Sequence, residues 1–182
     1  MKMKEKAVFF ATKGMVGSEG LYADPPSPPL SSEEWKALRL LTLAGYTIVL
    51  FTTDTAPVYA ECRTKQVSSG YEAATSRSLS QHSVDLSKQV TALLQATATL
   101  EIDLSGSWMV GDRLDSIEVG RLVGCNTVFV TDGSEAGWEM TVMRWPHLIA
   151  GDIWETACLI VTSDGCSVEG LSSSIEDDLD SV

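Results

Sequence analysis

The sequence has no apolar run near the ~20 residues that a membrane span requires. Basic residues are scarce as well, with thirteen Lys and Arg against twenty-five Asp and Glu. The resulting net charge of −12 excludes strong attraction to nucleic-acid phosphates or to an anionic membrane surface. Histidine occurs twice, at His82 and His147, and neither has a second ligand at metal spacing. Cys62, Cys125, Cys158 and Cys166 lack any C-x-x-C spacing, so a zinc site is not expected. Their scatter fits a reduced, cytoplasmic protein with buried thiols. The opening MKMKEKAVFF has a basic flank, but its apolar stretch is too short for a signal peptide. Internal repeats are absent. Gly14, Gly17 and Gly20 lack the G-x-G-x-x-G order of a dinucleotide site.

What is present is a globular composition. At 44% hydrophobic and 21% charged, the 182 residues suit one compact domain with a short appendage. Ala7 to Phe10 reads as a buried strand, and the four prolines between Pro25 and Pro29 mark a loop. Ser31 or Ser32 followed by Glu33 and Glu34 signals a helix start, with Trp35, Leu38 and Leu41 on its apolar face and Gly45 as its stop. Tyr46 to Phe51 is a second strand, which completes a βαβ unit. Residues 54–87 carry little pattern. A helix around Val90 to Ala96, a strand over Ser107 to Val110, a helix ending at Gly124 and a strand over Thr127 to Val130 follow. His147 to Ile149 and Ile153 to Val161 read as a last strand and a closing helix. This alternation predicts an α/β fold: a three-layer, Rossmann-like parallel sheet with helices on both faces, spanning residues 1–162. Residues 163–182 hold six acidic and no basic side chains and are expected to form a disordered tail.

Sites in such sheets lie beyond the carboxyl ends of the strands. Three ends stand out: Ala11-Thr12-Lys13-Gly14, Thr52-Thr53-Asp54 and Gly111-Asp112-Arg113. Asp112 at a strand end could hold a hard cation, or could cap the next helix through free N–H groups. Arg113 could grip a phosphate or face solvent. Trp138, Trp145 and Trp154 are expected to pack under a long loop, with a partner-binding patch as the alternative.

The segment SWMVGDRLDSIEVGRLVGCNTVFVTDG, Ser107 to Gly133, closely resembles the fourth-motif region of the haloacid dehalogenase (HAD) superfamily. The nearest subfamily is the histidinol-phosphate and D-glycero-D-manno-heptose 1,7-bisphosphate phosphatases. KAVFFATKGMVG stands where that subfamily has a strand ending in Asp-x-Asp-Gly, and WKALRLLTLAGYTIVLFTTD where it has a helix and a strand ending in Thr-Asn-Gln. The resemblance implies a HAD-like fold without a large cap domain. It also implies an aspartyl nucleophile, a second Asp as acid and base, a Lys and a Ser or Thr that orient phosphate, and Mg²⁺ held partly by the fourth-motif Asp.

Several of these positions hold other residues. Ala11 stands at the nucleophile position and Lys13 at the acid/base position. Thr52 keeps the phosphate-orienting hydroxyl, Lys88 is the nearest counterpart of the phosphate-binding Lys, and Arg113 adds a second cation. Asp112 remains as the metal-binding remnant, with Asp115 following and Ser116 where the family has Asp. The subfamily's zinc loop is missing. The expectation is a catalytically inactive phosphatase homologue that binds a protein partner or a small phosphorylated ligand, without nucleic acid, membrane or cofactor. Lys13 would then replace the metal as counter-charge to Asp112. The alternative is a Mg²⁺-dependent phosphomonoesterase acting on a small sugar phosphate.

Overall fold

A computed structural model describes residues 4–11, 31–50, 60–62, 86–131, 133 and 140–179. In chain order these form β1 (Lys6–Ala11), α1 (Ser32–Leu43), β2 (Tyr46–Leu50), β3 (Ala60–Cys62), α2 (Leu86–Leu100) and β4 (Trp108–Gly111). Next come α3 (Leu114–Val123), β5 (Asn126–Val130), β6 (Leu148–Ala150), α4 (Ile153–Ser163) and α5 (Val168–Leu179). The strands make one sheet in the order β3-β2-β1-β4-β5-β6. Neighbours from β2 through β6 pair in parallel. This is the α/β, Rossmann-like architecture that the alternating pattern predicts.

The side chains of β1 show how the three layers are held. Val8 and Phe10 point into one apolar cluster, with Leu40 and Leu41 of α1, Ile160 of α4 and Ile175 of α5. Ala7, Phe9 and Ala11 point the other way, into a cluster with Leu93 of α2 and Val119 of α3. Period-two alternation in a strand buried on both faces makes every residue of β1 after Lys6 a core residue. On the second face, helix and sheet approach closely at Gly120. A Cβ there would lie 2.6 Å from Cβ of Met109 and 2.8 Å from Cγ2 of Thr127, so only glycine fits.

Helix ends follow the sequence signals closely. Ser31 caps α1 in a capping box: its hydroxyl accepts from the Glu34 N–H, and the Glu34 carboxylate accepts from the Ser31 N–H. Asp152 caps α4 by accepting from Glu155 N at 2.7 Å, while the Glu155 carboxylate accepts from Gly151 N rather than from the cap residue. No helix among the described residues is long and apolar enough to cross a membrane.

Four features depart from expectation. β3 lies antiparallel to β2, so the sheet is mixed at that edge; its residues fall in a stretch whose sequence carries little pattern. The region past Ser163 is not a disordered tail over its described length but continues into α5. Val168, Leu171 and Ile175, spaced three and four apart, form an apolar stripe. Ile175 is 2% exposed against the first cluster. Counting acidic residues conceals that stripe, because a helix needs apolar residues on one face only. Trp154 of α4 packs against the first cluster, and Trp145 is 64% exposed. Of the thiols, Cys125 is buried and its pKa pushed up to about 12 by that burial, whereas Cys166 is exposed.

Asp164, just past the end of α4, ties that helix to the first residues of β1 and β2. Its Oδ2 accepts from Lys6 Nζ and from Tyr46 Oη, each at 2.6 Å. Burial pushes the carboxyl pKa up, but the Lys6 and Tyr46 hydrogen bonds outweigh it and hold the value below the ordinary range. A depressed folded-state value adds stability above the unfolded carboxylate pKa of ~3.9, which is lost as pH falls through the folded value. Asp164→Asn is therefore expected to cost about 1 kcal/mol at neutral pH. In urea unfolding the difference from the unchanged protein should shrink as pH falls through the ordinary carboxylate range and below it.

Candidate functional site

The register of the sheet builds the rim. Ala11 pairs with Gly111 across β1 and β4, so Asp112 is the first residue beyond the strand end beside Ala11. Gly111 allows the first turn of α3 to sit directly on this edge. A Cβ there would lie 2.6 Å from Cβ of Ser116. Ser116 is 1% exposed, and its hydroxyl donates to the main-chain carbonyl of Ala11 at 3.4 Å. The Ala11 methyl, 2% exposed, belongs to the apolar cluster beneath α2 and α3.

Asp112 is half-buried, and the capping position of α3 falls one residue later, on Arg113, whose side chain makes no cap hydrogen bond. Arg113 is exposed and turns its guanidinium to Asp115 at 3.4 Å. Arg144 also reaches Asp115, at 3.1 Å, and donates to Glu118 at 2.8 Å. Two guanidinium groups thus already face the carboxylate of Asp115. Lys88 lies in the first turn of α2, at the end of that helix nearest the rim. Lys13 and Thr52 lie outside the described residues, as do His82 and Trp138. Convergence of Ala11 and Asp112 is therefore on view, while the pairing of Lys13 with Asp112 is not.

Metal chemistry at this rim depends on its donors. Mg²⁺ prefers several oxygen ligands, usually including carboxylates. The end of β1 offers a methyl group, Asp115 is held by arginines, and Ser116 spends its proton on the Ala11 carbonyl. Among the described residues no group of three or more His, Cys, Asp or Glu side chains could hold a metal ion. The described donor set does not fit a resident Mg²⁺.

Residues 88–156 match the family model described as HAD-hydrolase-like. The matched segment contains Asp112 and the whole β4-α3-β5 unit. Over that segment, which is less than half of the chain, the sequence is similar to the HAD-hydrolase-like family. Among solved structures, this HAD-like chain is similar to a candidate HAD-like phosphatase from Mesorhizobium loti. Identity there is 16%, coverage is 93% of this chain and 88% of that one, and the TM-score is 0.53. It is also similar to 3-deoxy-D-manno-octulosonate 8-phosphate phosphatase from Moraxella catarrhalis, a structure with magnesium, phosphate and KDO. The figures are 16% identity, coverage of 88% and 87%, and a TM-score of 0.49. The first likeness shows the HAD-like fold. No curated protein matches the chain significantly.

Sequence reasoning missed two polar features of this HAD-like protein. Gln89 of α2 is 7% exposed with its Oε1 unpartnered, and its sole signal is a polar residue four positions before buried Leu93. The Arg144–Asp115 pair joins segments 29 positions apart (144 minus 115), which no local pattern reports.

Proposed function

We propose that this HAD-family phosphatase homologue is catalytically inactive and serves as a binding or regulatory module, with a protein partner or a small phosphorylated ligand as its counterpart. One observation carries the reading: where the resemblance requires an attacking carboxylate, the chain places the Ala11 methyl in an apolar cluster. A methyl has no lone pair to attack phosphorus. The bond from Ser116 to the Ala11 carbonyl and the arginines on Asp115 support the same conclusion. The reading includes no resident metal or zinc and a cytoplasmic location. Free thiols at Cys125, Cys158 and Cys166 are compatible with that location.

Hydrolysis of p-nitrophenyl phosphate with millimolar Mg²⁺ tests the proposal. Expected turnover lies several orders of magnitude below the ~10 s⁻¹ of an ordinary enzyme. Mg²⁺-dependent turnover of about 1 s⁻¹ or faster would instead establish the phosphomonoesterase reading.

A further inference from the structure

The exposed large apolar side chains of the described residues are not scattered. Leu122, Met140, Val142, Trp145 and Ile149 are five of the six, and Leu94 is the sixth. The fold brings the five to one flank. Thr127 of β5 faces α3, since a Cβ on Gly120 would lie 2.8 Å from its Cγ2, so Phe129, two residues on, faces the same way. Ile149 pairs with Phe129, while Leu148 and Ala150 turn to the first cluster, which places Ile149 on the α3 side as well. The turn Val142–Arg144 is fastened to α3 by Arg144, which donates to Glu118 at 2.8 Å. Nη1 of Arg121 lies 2.9 Å from Nε2 of His147, which draws the following residues along α3 beside Leu122. Val142 is 81% exposed, Trp145 64% and Ile149 57%.

This flank ends in an open strand. No described strand lies beyond β6. Thr131 N–H donates to Ala150 O at 3.0 Å, so Ala150 faces β5 and the alternation of a parallel ladder turns the N–H and C=O of Ile149 away from it. We infer that the flank is a docking surface for an extended, acidic segment of another protein, which lies along β6 and covers Trp145 and Ile149. Charge selects the occupant. Residues 140–150 hold no Asp or Glu, although the net charge of the chain is −12. Arg144 faces Asp115 and Glu118, but no described carboxylate lies within ion-pair distance of Arg121. A second copy suits the surface less well. Twofold pairing would bring both Arg121 side chains to one interface, and a stable pair of globular copies takes about 20–30 residues a side, more than this strip provides. The added strand is short, because Pro146 cannot donate to a longer ladder. Val142, Trp145 and Ile149 take no part in the rim, so the docking surface stands apart from the reading of the rim.

Peptides selected on the full chain from a displayed random library are the probe, and the Ile149 amide reports where they bind. Selected binders are expected to be rich in Asp and Glu, with apolar residues at alternate positions. They should slow hydrogen exchange at Ile149 about tenfold or more, because an added strand accepts from that N–H. Trp145→Ala should weaken them about tenfold or more, as for an aromatic anchor. With Trp145 64% exposed, that variant keeps the fold. Arg121→Gln should weaken them less and lower the salt dependence of binding. Failure to select any binder that depends on Trp145, or selection of basic binders, overturns the proposal. Slow exchange at Ile149 in the free chain overturns it too. A dependence of that protection on protein concentration would assign the edge to a second copy, and its absence to the chain itself.

Discussion

The chain carrying Ala11→Asp together with Lys13→Asp is expected to be less stable by about 3–5 kcal/mol at neutral pH, the cost of an unpaired charge in a core. It should hydrolyse p-nitrophenyl phosphate no faster than the unchanged protein. Ala11 sits 2% exposed among Phe9, Leu93, Met109 and Val119, none of which can donate to a carboxylate. Desolvation there raises the pKa of the new aspartate. The folded state would then keep a proton that the unfolded chain releases above pH ~4, so stability falls as pH rises from that point. Urea unfolding at acid and neutral pH reads this slope directly. Activity should not return because the neighbouring groups are committed elsewhere: Ser116 to the Ala11 carbonyl, Asp115 to Arg113 and Arg144. Residues that act as a unit are not repaired one at a time. Millimolar Mg²⁺ that restored both stability and turnover would show instead that the rim is a competent metal site.

Ile175→Ala is expected to destabilise the protein by about 2–5 kcal/mol, the range for a buried isoleucine reduced to alanine. Ile175 lies in the acidic carboxy-terminal stretch, yet it is 2% exposed and packs into the cluster shared by α1, α4 and the sheet. Leu171 and Val168 cover the adjoining surface. A loss below ~0.5 kcal/mol in chemical denaturation, as for an exposed site, would mean that α5 does not belong to the core.

Much of the architecture is legible in the chain because its signals are local. The run Ala7 to Phe10 is buried on both faces and so reads as a continuous apolar stretch. Ser31 with Glu34 announces a helix start through hydrogen bonds only three residues apart. The rim was legible in part, since a parallel sheet brings strand ends together and thereby sets Ala11 beside Gly111. The antiparallel edge strand was not legible, because three residues without a turn signal do not state a direction.

By itself the sequence determined the α/β class and the boundaries of most elements. Each of these rests on residue identity or on short-range periodicity. Tertiary structure alone decided that the Ala11 methyl is core, that Asp115 faces two arginines, and that Arg121 and His147 converge across 26 positions. It also decided that α5 docks, because an apolar stripe becomes a buried face only where a partner surface exists. The partners of a side chain are set by how elements pack, and that information is spread over residues far apart along the chain.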